Sequence, residues 1–152
     1  MTSRYVYDDP DRMIAWAEAR LPDVHFGEDP KAIGHERNGQ IVGVCLYTHP
    51  TGRSCMFHAV SDGSRRWVTR EFITRAMAYP FIQCGYHRMT CTVSLDNPDS
   101  LLFTVHFGWT LEGVMREEGP NGEDMLLFGL LARECRQISH LRLAGISGRE
   151  AI

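Results

Sequence analysis

Between Ser54 and Val93 the sequence reads strand, helix, strand, and this constrains the fold more than any other feature. A hydrophobic run from Ser54 to Val60 follows the turn His49-Pro50-Thr51-Gly52 and stops at Ser61-Asp62-Gly63-Ser64. Val68, Phe72, Ile73, Ala76 and Tyr79 then share one face of a long helix, which Pro80 kinks or ends before Gly85. Arg88 to Val93 is alternating and β-branched, a second strand. When a helix returns the chain to the end of the sheet it left, the two strands run in parallel, so part of the sheet must be parallel and carry helices on its surface.

The flanking segments call for antiparallel pairing. Asn38-Gly39 suits the positive φ angles of a type I′ turn and splits Ala32 to Thr48 into a hairpin. Trp109 to Glu117 and Asp124 to Leu131 are two more strands, joined by the turn Gly119-Pro120-Asn121-Gly122. Asp9-Pro10 caps a first helix in which Met13, Ile14, Ala17 and Leu21 recur until Pro22. Asn97-Pro98 starts another, which runs to Phe107 and closes on Gly108. The predicted order is helix, hairpin, strand, helix, strand, helix and two strands. The fold class is therefore α/β, an α+β arrangement with a central mixed, twisted sheet and helices on both faces.

At 152 residues the chain fits a single domain over 1–152, with a weakly patterned tail from about 138. Hydrophobic residues make up 43% and charged residues 23%, a globular rather than a disordered composition. A net charge of −3 gives no basic field for nucleic acid or anionic membranes, so any anion site must be local. Cys45, Cys55, Cys84, Cys91 and Cys135 are odd in number and scattered, which points to a reducing, cytoplasmic setting. No window approaches the roughly 18 apolar residues of a membrane span, and the charged N-terminus lacks a signal-peptide core.

The second half of the chain resembles a known family. Asn97-Pro98-Asp99-Ser100, then Phe107-Gly108-Trp109, Leu111-Glu112-Gly113 and Arg116, is similar to the N-x-x-S … G-F-x-x-E-G-x-x-R run of the GNAT acyltransferase superfamily. Asp124 to Leu131 with Glu134-Cys135 resembles the closing strand of its ribosomal-protein N-acetyltransferase-like branch. The N-terminal half agrees in element order only. The same residues also have plain structural uses, as a helix cap, a helix stop and a strand charge with its partner.

The resemblance implies an N-acyltransferase that takes acetyl-coenzyme A as co-substrate, without a metal, and passes the acetyl group to an amine of a protein or small molecule. It places the pyrophosphate on the N-terminus of the helix after the parallel strand, where unpaired N–H groups and the helix dipole attract anions. Ala59, Val60, Arg65, Arg66, Trp67, Val68, Thr69, Arg70 and Asn97 are then the coenzyme-binding candidates. Trp67, Val68 and Thr69 stand where the family carries glycines, while Arg65, Arg66 and Arg70 supply forked donors suited to phosphate.

Acyl transfer to an amine needs a base, oxyanion donors and often an acid for the thiolate. The resemblance puts the oxyanion donor among the backbone N–H groups of Met56 to Val60. It puts the acid, usually a tyrosine, at Thr104, whose hydroxyl is too weak an acid for that task. His58, on the strand beside the expected thioester, is the first candidate base and Glu112 the second. His58 reads equally well as a solvent-facing or packed strand histidine, and His87 and His106 read as surface residues.

Cys84-x-x-His87-x-x-x-Cys91 has metal-like spacing, but it straddles a helix end and a strand and has no fourth ligand. Walker and Gly-x-Ser-x-Gly loops are absent. Trp16, Trp67 and Trp109, without a basic groove, read as core or pocket walls. Two alternatives stay open: a coenzyme-binding or regulatory module that has lost catalysis, and, because some phage DNA-modifying enzymes use a GNAT-like fold, a nucleic-acid-modifying enzyme. The oligomeric state is also open, a homodimer included, and acceptor specificity falls to the first helix, the Pro22 to Lys31 loop and the Gly119 to Glu123 turn.

Overall fold

A computed structural model describes residues 2–21 and 24–143. Its elements are β1 (Ser3–Val6), α1 (Pro10–Arg20), β2 (Lys31–Arg37), β3 (Gln40–Thr48), β4 (Ser54–Ser61), α2 (Arg70–Ala78), β5 (Arg88–Ser94), α3 (Pro98–His106), β6 (Thr110–Met115), β7 (Met125–Leu131) and α4 (Ser139–Leu143). The strands form one sheet in the order β1-β2-β3-β4-β5-β7-β6, in which only β4 and β5 run parallel. The class is α/β with a mixed sheet, as the strand-helix-strand unit requires.

Helices cover both faces. On one, Met13 and Ala17 of α1 close over Ala32, Val44, Leu46 and Val60, with Phe26 beside them. Gly34 lies beneath Met13, whose sulfur would stand 2.1 Å from an added Cβ, so α1 packs directly on the β2 backbone. On the other face Phe72, Ile73, Ala76 and Met77 of α2 pack on Ile33, Cys45, Tyr47, Phe57, Met89 and Cys91. Phe103 and Phe107 of α3 extend this core at its edge. Alternation in β5 fits the arrangement, with Met89, Cys91 and Val93 buried and the residues between them half-exposed.

The hairpin turn is as expected: Asn38 and Gly39 have φ of 53° and 79°. Asn97 caps α3 by accepting from the Ser100 N–H at 3.2 Å, and Gly108 takes φ 92° after it. Other expectations need correction. The strand Ser3–Val6, too short to show alternation, pairs with β2 and extends the sheet by one strand. Asp9 precedes α1 but makes no side-chain cap bond, and the helix ends at Arg20; Pro22 lies outside the described residues. Val68 falls before α2, which Thr69 caps through its hydroxyl to the Phe72 N–H. Past Ala78 the chain widens into a π-helical turn over Tyr79–Gln83, which accommodates Pro80 without ending the helical path.

The start of the tail, as far as Leu143, docks on the domain. Ile138 is completely buried in the α2-side core, and α4 follows it. Arg136 reaches back to the carbonyl of His106 at 2.7 Å. Cys135 and Ile138 are buried, and Arg136 and Gln137 bond the carbonyls of His106 and Phe107, scattered contacts that make no periodic signal.

Candidate functional site

The parallel strands meet over three register pairs only, Ser54 with Arg88, Cys55 with Met89 and Met56 with Thr90. Beyond them β4 follows β3 as far as Ser61, while β5 follows β7 as far as Ser94. The sheet therefore splits between its two halves. From Phe57 to Ser61 the edge of β4 that faces β5 has no strand partner; the Ser61 carbonyl accepts from Arg20 at 2.9 Å, and the backbone groups of Phe57 and Ala59 on that edge are open to another chain or ligand. Below the split, Phe57 stacks on Trp109 with ring centroids 5.7 Å apart and closes the floor.

A cleft of about 790 Å³ leads into the split. Ala59 and Ser61 of β4 form one wall, and Gly63, Ser64, Arg65, Trp67 and Val68 form the loop beyond it. Asn97, Ser100, Phe103 and Phe107 of α3 form the other wall. Leu102, also lining it, is an α3 residue 71% exposed, apolar surface with no protein cover. A second cavity of about 320 Å³ lies at the head of α2, lined by Val68, Thr69, Arg70, Phe107, Arg136, Gln137 and His140 among others. Val68 and Phe107 line both, so the two spaces adjoin.

The loop between β4 and α2 is held from below. His35, wholly buried on β2, bonds through Nδ1 to the Trp67 carbonyl at 3.0 Å, and Arg37 donates to the Arg66 carbonyl at 3.3 Å. The Trp67 side chain lies on Gly43, where an added Cβ would come within 2.5 Å of its own Cβ, and tilts against Phe103 at 5.1 Å. Where glycine would leave room under the loop, this chain puts a buried indole. Ser64 donates to Asp62 through both its N–H and its hydroxyl, and Arg66 bonds the same carboxylate at 2.8 Å. Burial alone would raise Asp62, yet these donors bring it down to about 2.

The nine coenzyme-binding candidates are thus sorted by the structure. Ala59, Arg65, Trp67, Val68 and Asn97 line the large cleft, and Val68, Thr69 and Arg70 line the smaller cavity. Arg66 is committed to Asp62, and Val60 packs its side chain on the α1 side and pairs with Val44 of β3, so it lines neither cavity. Arg65 reaches toward Asp99 of α3 at 4.0 Å. With Thr69 capping Phe72 and its carbonyl receiving Ile73, the N–H groups of Arg70 and Glu71 remain as the donors of the helix start. Arg136, Gln137 and His140 were not legible as site residues, because the tail reaches α2 only in the folded chain. Phe103 and Phe107, four apart, were legible only as a helix face.

The candidate catalytic residues do not converge. His58 lies on the α1 face of β4, its ring edge-on to Phe26 at 5.2 Å and its Nε2 3.0 Å from the Thr48 hydroxyl. Burial, reinforced by His49, lowers it to about 4, so at neutral pH it is an uncharged acceptor. Glu112 is clamped by Arg88 through two hydrogen bonds, one of 3.0 Å, which hold its carboxyl below the usual range. Thr104 is buried in α3 and gives its hydroxyl proton to the Ser100 carbonyl at 2.7 Å. Its side chain belongs to the helix, and it lines neither cavity. His87 and His106 are exposed as expected, although His106 stands at the rim of the large cleft. Of the metal-like trio, Cys84 is exposed and Cys91 buried on β5, and among the described residues no group of three such side chains converges.

No protein-family model matches the sequence, and no curated protein matches it. Solved structures do. A spermidine N-acetyltransferase chimera built from the Vibrio cholerae enzyme and hSSAT superposes with a TM-score of 0.71 at 16% identity, over 88% of this chain and 98% of its own. A mutant of the Vibrio cholerae spermidine N-acetyltransferase gives 0.70 at 17% identity, over 93% and 99%. A dodecameric form of that enzyme, in an intermediate state, gives 0.70 at 17% identity, over 94% and 97%. At such identity the likeness is one of architecture, and it covers nearly the whole of both chains: this chain has the GNAT acyltransferase fold.

Proposed function

We propose that the chain is an acyl-coenzyme A-dependent N-acyltransferase that moves an acetyl group from acetyl-coenzyme A to an amine. The observation that carries this reading is the split of β4 from β5 beyond Met56 and Thr90, with a cleft leading into it from the head of α2. The unpaired edge from Phe57 to Ser61 offers backbone partners to an extended, amide-bearing ligand, as a missing strand would. Asn97, Ser100 and Phe103 face it from α3. At the head of α2 the Arg70 and Glu71 N–H groups, with the side chains of Arg65, Arg70 and Arg136, form an anion cradle built on guanidinium groups rather than glycines.

Bound there, acetyl-coenzyme A would supply the acyl group already activated as a thioester. His58 is the candidate base: Thr48 holds its Nε2 and no described residue uses its Nδ1, although burial leaves the ring a weak base. Backbone N–H groups on the open β4 edge serve as oxyanion donors. No protein acid is required, because a thiol with a pKa of about 8.5 leaves readily near neutrality. The acceptor is a primary amine of a small molecule or protein. Spermidine, the substrate named for the structural neighbours, is the first to try. A homodimer or larger assembly, and a cytoplasmic setting for five free cysteines, go with this reading.

Thermal unfolding with and without acetyl-coenzyme A tests it, since a ligand of the folded state raises the melting temperature. A shift, followed by coenzyme A release with spermidine or Nα-acetyl-lysine methyl ester, supports the enzyme. A shift without release by any amine, protein or DNA acceptor favours a binding module, for which the buried Trp67 in place of glycine speaks. No shift at millimolar coenzyme sinks both.

A further inference from the structure

We infer that Thr48 and His49 form a proton relay behind His58, connecting that buried ring to solvent. The Thr48 hydroxyl lies 3.0 Å from His58 Nε2 and 3.0 Å from His49 Nδ1. Thr48 is 1% exposed at the end of β3, whereas His49, the next residue, is open to water. A hydroxyl has one proton and two lone pairs, so between two imidazoles it donates to one and accepts from the other. Reversing both bonds moves a proton the length of the chain.

His49 takes φ 49°, a left-handed conformation in which histidine, like asparagine and aspartate, is enriched, and its ring returns to the Thr48 side chain. Gly27, at φ 77°, passes the His49 ring at van der Waals distance from where a Cβ would stand, and Phe26 walls off His58. A buried hydroxyl would be satisfied by one partner. The second, on the exposed His49, completes a path to the surface.

The inference rests on His58 being the base of the proposed reaction. A primary amine reaches the site as an ammonium ion, with a pKa of about 10, and must release one proton to solvent before it can attack. The ammonium N–H breaks and an Nδ1–H forms on His58. His58 Nε2–H passes to the Thr48 oxygen, the Thr48 hydroxyl proton passes to His49 Nδ1, and His49 yields its Nε2 proton to water. Exchange with water then restores the starting orientation. His49 is the titratable group that acts on His58 from the neighbouring elements, and Phe26, facing it from the 24–29 segment, is apolar. A protonated His58 is disfavoured by burial first and by His49 second, so arrival of the proton at Nδ1 is coupled to departure of the one on Nε2.

Ring-15N NMR of the whole protein, titrated between pH 8 and pH 4 without any ligand, tests the connection. The ring-nitrogen signals of His49 and His58 should move together. Thr48→Ser should keep that coupling and Thr48→Val abolish it. No coupling in the unaltered protein, or coupling that survives Thr48→Val, overturns the relay. The kinetic arm uses His49→Asn, because asparagine accepts the left-handed conformation and can hydrogen-bond Thr48 but cannot pass a proton. With spermidine or Nα-acetyl-lysine methyl ester, whichever turns over, kcat should fall about tenfold, the acetyl-coenzyme A KM should not move, and the fall should shrink as pH rises. An unchanged kcat also overturns the relay. If neither amine releases coenzyme A with the unaltered protein, the enzyme reading loses support while the NMR titration still decides the relay.

Discussion

His35 and Trp67 fix the floor of the candidate coenzyme site: the buried ring bonds through Nδ1 to the Trp67 carbonyl at 3.0 Å, and its Nε2 meets the Ser3 hydroxyl at 3.2 Å. A carbonyl can only accept, so Nδ1 carries the proton, and the neutral ring takes the Ser3 hydroxyl on its other nitrogen. Burial lowers the basicity of His35, which keeps this tautomer at neutral pH. The bond ties the loop before α2 to β1 and β2.

Replacing the ring should loosen that loop. His35→Leu removes one of two donors from the Trp67 carbonyl, which keeps the Thr69 N–H at 3.0 Å, and should cost about 0.5–1.5 kcal/mol of stability. Urea denaturation measures the loss, and a calorimetric titration with acetyl-coenzyme A should show weaker binding. Undiminished affinity would mean that the loop holds its shape without His35.

Gly43 has no space for a side chain because Trp67 Cβ and Cγ would stand 2.5 and 2.8 Å from an added methyl carbon. Gly43→Ala should therefore displace the indole and cost about 1–3 kcal/mol, with the intrinsic tryptophan fluorescence shifted to longer wavelength. Trp67→Ala, which instead opens a cavity, should cost about 3–5 kcal/mol.

The stability of the protein should fall in mild acid. His58 titrates at about 4 in the folded chain against 6.5 as its ordinary value. Between these values the unfolded chain binds a proton that the native chain does not, so stability is complete above pH 6.5 and declines toward pH 4. From pH 7 to pH 4 the unaltered protein should lose about 3 kcal/mol more than His58→Gln. His35, lowered in the same direction, contributes equally to both proteins. Denaturation at the two pH values compares them, and equal losses would contradict the burial of His58.

Base and bystander separate by mutation. Glu112 and Arg88 are about one-third exposed, so Glu112→Gln should cost under about 1 kcal/mol and leave coenzyme A release near its original rate. His58→Gln should lower kcat by about 100-fold. Thr104→Val, which loses only a bond to its own helix, should leave the rate unchanged. A collapse of rate in Glu112→Gln would move the base to that carboxylate.

Arg65→Ala and Arg70→Ala should each raise the Kd for acetyl-coenzyme A, with Arg70 the larger because it lines the cavity at the head of α2 beside Arg136 while Arg65 is 88% exposed. Each loss should shrink as salt rises. Affinity unchanged in the double variant would remove the guanidinium cradle.

By itself the sequence determined the elements and their hand of pairing. Asn38-Gly39, Asn97-Pro98 and Gly108 act through local backbone conformation, and the strand-helix-strand run from Ser54 to Val93 forced one parallel pair; all of this depends on neighbours a few residues away. Only the tertiary structure decided how far that pair extends. β5 stays with β7 and β4 stays with β3, so the sheet opens after three register pairs, a balance between strands distant in the chain. The same distance hid the use of single residues. Trp67 finds Gly43 and His35, Arg136 finds the head of α2, Glu112 is taken by Arg88, and Thr48 comes to stand between two histidines. Each depends on the packing of remote segments, which no local pattern encodes.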